Sequence, residues 1–177
     1  MKKITDRFSV SPQINAEEVA EAAKAGIRAI ICNRPDGEGP DQPSFDEIRA
    51  AAEKEGLQAA YVPVQSGMVR DEDVAAFAEA LDKLPRPVLA YCRTGTRSAT
   101  LWSLNEAGKR PLPEILAATR AAGYDMAGVA RRIANGGKTP TDSADASFDV
   151  VIVGGGAGGI ATAASLQARK PALSIAV

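Results

Sequence analysis

The stretch Pro87-Val88-Leu89-Ala90-Tyr91-Cys92-Arg93-Thr94-Gly95-Thr96-Arg97-Ser98 decides how the rest of the chain is read. Residues 87–91 form a short apolar run of strand type, and Ala99, Leu101, Trp102 and Leu104 place a helix starting near Ser98. One strand-to-helix turn therefore holds a cysteine, a glycine, two arginines and a serine. A thiol there meets free backbone N–H groups and the positive end of a helix dipole, and Arg93 and Arg97 add charge. All of these favour the thiolate. Gly95 permits the tight turn that points successive amides inward as a nest for an anion. The expected product is a thiolate at the floor of an anion-binding cup. It suits attack on phosphorus or sulfur, or carriage of a negatively charged persulfide. Inert packing is the blander account of a lone cysteine, but the density of charged and turn-forming residues in this loop favours function.

Outward from the loop, Ile27–Cys32 and Ala60–Val64 read as two further buried strands. Asn15 with Glu18, and Ser44 with Glu47, have capping-box spacing ahead of two helices, which Gly26 and Gly56 end. A third helix carries the stripe Val74, Phe77, Ala78, Leu81 after an acidic start at Asp71-Glu72-Asp73, where carboxylates suit the helix dipole. Alternating β and α segments of this length predict an α/β domain over residues 1–135, a parallel or mainly parallel sheet with helices on both faces. Ligands of such sheets sit outside the carboxyl ends of the strands.

The composition narrows the chemistry. The chain has 177 residues and no histidine, which removes Ser-His-Asp and Cys-His catalysis and histidine metal sites. Two cysteines, Cys32 and Cys92, are too few for a structural zinc site, so no metal is expected. A net charge of -1 without a basic cluster argues against nucleic acid, and no apolar run is long enough to span a membrane. No signal-peptide pattern follows Met1-Lys2-Lys3, so the expected location is cytoplasmic, with both thiols reduced.

Residues 136–147 are polar, rich in Gly, Pro and Ser, and read as a linker. Beyond them the apolar run 148–153 leads into Gly154-Gly155-Gly156-Ala157-Gly158-Gly159, an Ala-rich helical segment and a second apolar run at 172–177. That context gives a G-x-G-x-x-G pattern meaning: Gly154 for the tight turn, Gly156 for approach to a pyrophosphate, Gly159 for close helix–strand packing. The expectation for 148–177 is a partial Rossmann βαβ unit, too small to bury a core alone.

Cys92 to Ser98 resembles the active-site loop of two related groups, cysteine-dependent phosphatases and rhodanese-type sulfurtransferases. With Phe8–Gln13, Asn33–Glu38, Tyr61–Val64 and Ala90–Trp102, the domain resembles the bacterial phosphatase-like domains of the beta-lactamase hydrolase-like type. These are often beside or fused to sulfide-oxidising enzymes. Residues 148–177 resemble the start of an FAD-dependent sulfide:quinone oxidoreductase, whose acidic ribose anchor would be expected just after Val177. The resemblance implies a truncated front of a longer fusion, with FAD bound by the parent and little or none by these residues. The first domain implies no cofactor.

Three features tilt this reading toward sulfur transfer. The arginine Arg97 stands five residues after the cysteine, where the phosphatase pattern has it six residues on, at the place of Ser98. Tyr91 replaces the histidine that usually precedes a phosphatase cysteine. The loop where related phosphatases carry an acid reads Gln65-Ser66-Gly67, and neither Gln65 nor Ser66 can protonate a leaving oxygen. Asp36 and Glu38 are the candidate acids, Asp36 foremost, while Asp71 and Asp73 look like helix caps. The expected function is a sulfurtransferase in which Cys92 takes sulfur from a small anion such as thiosulfate or a persulfide and passes it to an acceptor thiol. Arg97 and Arg93 neutralise charge, and the loop Thr94, Gly95, Thr96, Ser98 supplies amides. A fused or neighbouring sulfide-oxidising flavoprotein is the expected partner. The alternatives are a phosphatase-like hydrolase of phosphoesters and a non-catalytic anion-binding module that regulates the flavoprotein. Cys32 is expected to pack rather than to resolve a persulfide.

Overall fold

Two capping boxes start the first helices of the computed structural model, which describes residues 1–141, 150–151, 157–169 and 175–176. Asn15 accepts from Glu18 N at 2.9 Å while Glu18 accepts from Asn15 N at 3.0 Å, opening α1 (Ala16–Lys24). Ser44 and Glu47 do the same at α2 (Phe45–Lys54), so both helices begin where the spacing predicted.

The chain divides into two compact units, Met1–Pro140 and Thr141–Val177. In the first unit, β1 (Lys2–Thr5) pairs antiparallel with β2 (Phe8–Ser11). The remaining strands are β3 (Ala29–Cys32), β4 (Gln58–Tyr61) and β5 (Val88–Tyr91), and the sheet order is β1-β2-β5-β3-β4. Every pair except β1–β2 is parallel, which is the mainly parallel α/β sheet expected. The antiparallel β1 is an addition to that expectation.

Side-chain alternation divides the strands between two cores. Ala29, Ile31, Val88 and Ala90 pack with α3 (Asp71–Lys83), α4 (Thr96–Glu106), α5 (Leu112–Ala121) and α6 (Ala130–Ala134). Ile30, Cys32, Leu89 and Tyr91 pack with α1 and α2 on the opposite face. Phe8 centres the larger core, edge-on to Phe77 and stacked on Trp102, each with ring centroids 6.0 Å away.

Strand and helix bounds shift by a few residues from the sequence reading, and two of the shifts have plain local reasons. β4 ends at Tyr61 rather than continuing to Val64, because Pro63 has no N–H for the ladder. Val62 N and Val64 N still bond to Cys32 O and Asn33 O, so the chain keeps its path across the end of β3. Helix α4 begins at Thr96 rather than near Ser98, because Gly95 takes φ 89° and turns the chain earlier.

In the second unit β6 (Val150–Val151) pairs parallel with β7 (Ile175–Ala176), and α7 (Ala157–Arg169) lies between them in sequence. Gly159 sits in the first turn of α7, whereas Gly154 and Gly156 lie outside the described residues.

Candidate active site

Because β2, β5, β3 and β4 run parallel, their carboxyl ends gather at one edge of the sheet, and the turn after β5 sits among them. Cys92 is 1% exposed. Its backbone N donates to Ser11 O at 3.4 Å, and Gln13 N donates to Arg93 O at 3.3 Å, which ties the turn to the end of β2. Gly95 N donates to Cys92 Sγ at 3.1 Å, one amide aimed at the sulfur. Only glycine serves at 95: φ is positive, and a Cβ would collide with Tyr124 Oη, which itself donates to Thr94 O at 3.3 Å.

Arg97 is held from two sides. Its Nη1 donates to Val64 O at 2.7 Å and its Nη2 to Glu38 Oε2 at 2.7 Å. The same Glu38 oxygen accepts from Arg34 Nε at 2.9 Å, and Arg34 Nη1 donates to Gln13 Oε1 at 3.0 Å. The bond from Arg97 outweighs the effect of burial and, helped by Arg34, holds the Glu38 carboxyl below the usual range. Burial works against the Arg97 charge, but Glu38 and the nearby Cys92 outweigh it, so Arg97 stays a cation. Behind the loop, Ser98 Oγ donates to Asn33 Oδ1 at 2.9 Å, and Asn33 Nδ2 donates to Val62 O at 3.0 Å. Asn33, fully buried, thus joins the ends of β3 and β4 to the first turn of α4.

The mouth of the loop is open on two sides. Arg93, Thr94 and Thr96 are exposed, and the two threonine hydroxyls lie 3.1 Å apart. A cleft of about 670 Å³ runs past Met68, Arg93, Thr96, Arg97 and Arg132. A second of about 300 Å³ is lined by Arg34, Glu38, Asp41 and again Arg93.

The structure brings Cys92, Arg93, Thr94, Gly95, Thr96, Arg97 and Ser98 together at one strand-to-helix turn, the last three in the first turn of α4, but Asp36 is drawn elsewhere. Its carboxylate accepts from Phe45 N at 2.8 Å and its own N–H donates to Tyr61 Oη at 2.9 Å, so it completes the start of α2 and lines neither cleft. The expectation of Asp36 as the acid is corrected on that ground. Asp73 accepts from Arg70 N at 2.8 Å at the start of α3, as the helix-cap reading had it. Asp71 instead ties that helix to Arg132, at 2.7 Å, and to Thr139. Cys32 donates to Arg34 O at 3.2 Å within the α1–α2 core, and burial pushes its thiol up to about 11, which suits packing and not sulfur exchange. The sequence reading missed the structural parts played by Asn33, Gln13 and Tyr124, and placed Glu38 as an acid rather than as a partner of arginines. The run Asn33-Arg34-Pro35-Asp36-Gly37-Glu38 at a strand end was the available signal, but the pairing with Arg97 spans 59 residues.

A buried cysteine whose sulfur accepts from a backbone amide at a strand–helix turn, with an arginine in the following helical turn, defines a cysteine-phosphatase-like α/β protein. The chain belongs to the family described as beta-lactamase hydrolase-like protein, phosphatase-like domain, whose model matches residues 1–109. A beta-lactamase hydrolase-like protein of Xylella fastidiosa (strain Temecula1) is 38% identical over 125 residues, which are 70% of this chain and 29% of that protein. The chain therefore spans less than a third of this curated relative. A crystal structure of a provisionally assigned phosphatase from Neisseria meningitidis Z2491 is 35% identical with a TM-score of 0.69, covering 76% of this chain and 96% of that one. The core domain of the PP-IP phosphatase SIW14 from S. cerevisiae, at 16% identity and a TM-score of 0.54 over 74% of this chain and 81% of its own, shows the same fold. The family match and the Neisseria likeness run to the phosphatase side of the two groups, against the expectation of sulfur transfer. Among the described residues no helix is long and apolar enough to cross a membrane.

Proposed function

We propose that the first domain is a cysteine-dependent hydrolase of phosphate monoesters. The observation that carries this reading is the Gly95 N–H on Cys92 Sγ at the floor of the loop, with the Arg97 cation in the turn that follows. Cys92 thiolate attacks phosphorus as the ester P–O bond breaks and the alcohol leaves, Arg97 and Arg93 offset the charge on the phosphoryl oxygens, and the loop amides receive them. Water then releases phosphate from the Cys92 phosphothioester. Membership of the phosphatase-like family supports the choice.

A second reading, Cys92 persulfide formation with a small sulfur anion and transfer to an acceptor thiol, is favoured by one observation. Arg97 lies five residues after Cys92, a spacing similar to rhodanese loops. The intact 177-residue chain, offered an aryl phosphate and in parallel thiosulfate with cyanide, separates the two. Turnover of the phosphate, abolished by Cys92→Ser, is expected. Turnover of thiosulfate alone would overturn the hydrolase reading, and activity on neither would favour an anion-binding module. FAD binding, and a sulfide-oxidising flavoprotein as partner, rest on the glycine pattern of residues 154–159 and its resemblance alone.

A further inference from the structure

We infer that Asp41 is the general acid of this site, protonating the oxygen that leaves as Cys92 attacks; the inference rests on the phosphoester reading. An alkoxide leaves poorly without a proton, and arginines cannot supply one at neutral pH. The usual place for the acid, after β4, holds Gln65-Ser66-Gly67-Met68. The other carboxylates near the mouth are committed. Asp36 accepts from Phe45 N, Asp71 accepts from Arg132 and Thr139, and Glu38 holds Arg34 and Arg97 together. Asp41 is exposed and has no hydrogen-bond or ion-pair partner among the described residues. It lines the cleft that shares Arg93 with the cysteine loop.

The loop that carries it is built to hold that position. Glu38 anchors the loop to Arg97, and the chain then turns through Gly39-Pro40. Gly39 passes so close to Arg34 that a Cβ there would come within 2.8 Å of Nη2. Gln42 closes the turn, its N–H donating to Gly39 O at 3.4 Å and its Nε2 to Pro35 O at 2.9 Å. Asp41 sits between these ties with its carboxyl free. One loop thus carries both the partner of the phosphate-binding arginine and, three residues on, the proton donor.

The step balances. As the bond from Cys92 Sγ to phosphorus forms, the ester P–O bond breaks, and its electron pair goes to the leaving oxygen, which takes the Asp41 proton. In the second step the Asp41 carboxylate accepts a proton from the attacking water, the S–P bond breaks, and thiolate and phosphate are released. The net reaction is ester plus water to alcohol plus phosphate.

The test uses the full chain with Asp41→Asn and two esters of unequal leaving group, phenyl phosphate and 2,4-dinitrophenyl phosphate. The variant is expected to lose about 100-fold in kcat on the phenyl ester, and no more than about threefold on the dinitrophenyl ester, whose phenolate leaves unaided. Asp41→Glu should restore part of the loss. Equal slowing of both esters, or slowing of neither, would overturn the assignment. Wild-type inactivity on both esters, with the fold intact by circular dichroism, would instead overturn the phosphoester reading and the inference with it.

Discussion

Replacing Glu38 by Gln tests the hub of the site. The carboxylate accepts from Arg97 at 2.7 Å and Arg34 at 2.9 Å, and these side chains are only 8% and 9% exposed. Each bond is charge-assisted, worth about 1.5–3 kcal/mol, and removal of one partner of a buried pair costs about 3–5 kcal/mol. Gln keeps one acceptor oxygen, and Glu38 itself is 23% exposed, so both figures are upper bounds. A loss of about 2 kcal/mol remains near neutral pH, which for a domain of this size lowers Tm by about 6 °C. Acidity should erase the difference. The arginines depress the Glu38 pKa below its ordinary 4.5, so its contribution is complete above that value and lost as pH falls through the lower folded value. Urea melts of wild type and E38Q at neutral pH and in stepwise more acidic buffers measure it. The gap should close below the ordinary carboxylate range. A gap under about 0.5 kcal/mol at neutral pH, the level of a plain surface change, or one that does not shrink in acid, would refute the reasoning.

Two further outcomes follow from the same neighbourhood. Ser98→Ala leaves the buried Asn33 Oδ1 without its donor and should cost about 1–3 kcal/mol in denaturant melts, whereas Ser98→Thr keeps a hydroxyl and should recover part of it. Cys32, 1% exposed with its thiol pushed up to about 11, should resist iodoacetamide in the native protein at neutral pH and react once urea unfolds the chain, as peptide mass spectrometry would show.

Local chemistry explains what was legible in the residues. Capping boxes at Asn15 and Ser44, the Phe77 and Leu81 stripe and the apolar runs 29–32 and 88–91 act over a few positions, so their patterns survive in one dimension. The cysteine loop was readable for the same reason: Gly95, Cys92 and Arg97 lie within one turn. Less legible was β1, whose Lys2 and Lys3 are exposed and whose pairing depends on β2 across a two-residue turn. The competition among acids was hidden as well. Asp36, Glu38 and Asp41 lie on one loop, and only three-dimensional packing gives Asp36 to Phe45 and Glu38 to Arg97. The choice between phosphorus and sulfur was the least legible, because one residue of spacing and a missing aspartate point one way and the domain-wide likeness to phosphatase-like proteins points the other.

Cys32 stands directly opposite Tyr91 in the parallel register, so Cys92 is displaced from it by a single residue. An odd displacement reverses the side on which a strand side chain emerges, so parity sends the two thiols to opposite sides. Cys32 is committed to the α1–α2 side with Tyr91, while Cys92 turns toward the Gly95 amide. A slip of one step between β3 and β5 would set both sulfurs on the same side. The register of two strands thereby works as an insulator, keeping one chain's pair of thiols from becoming a bridge.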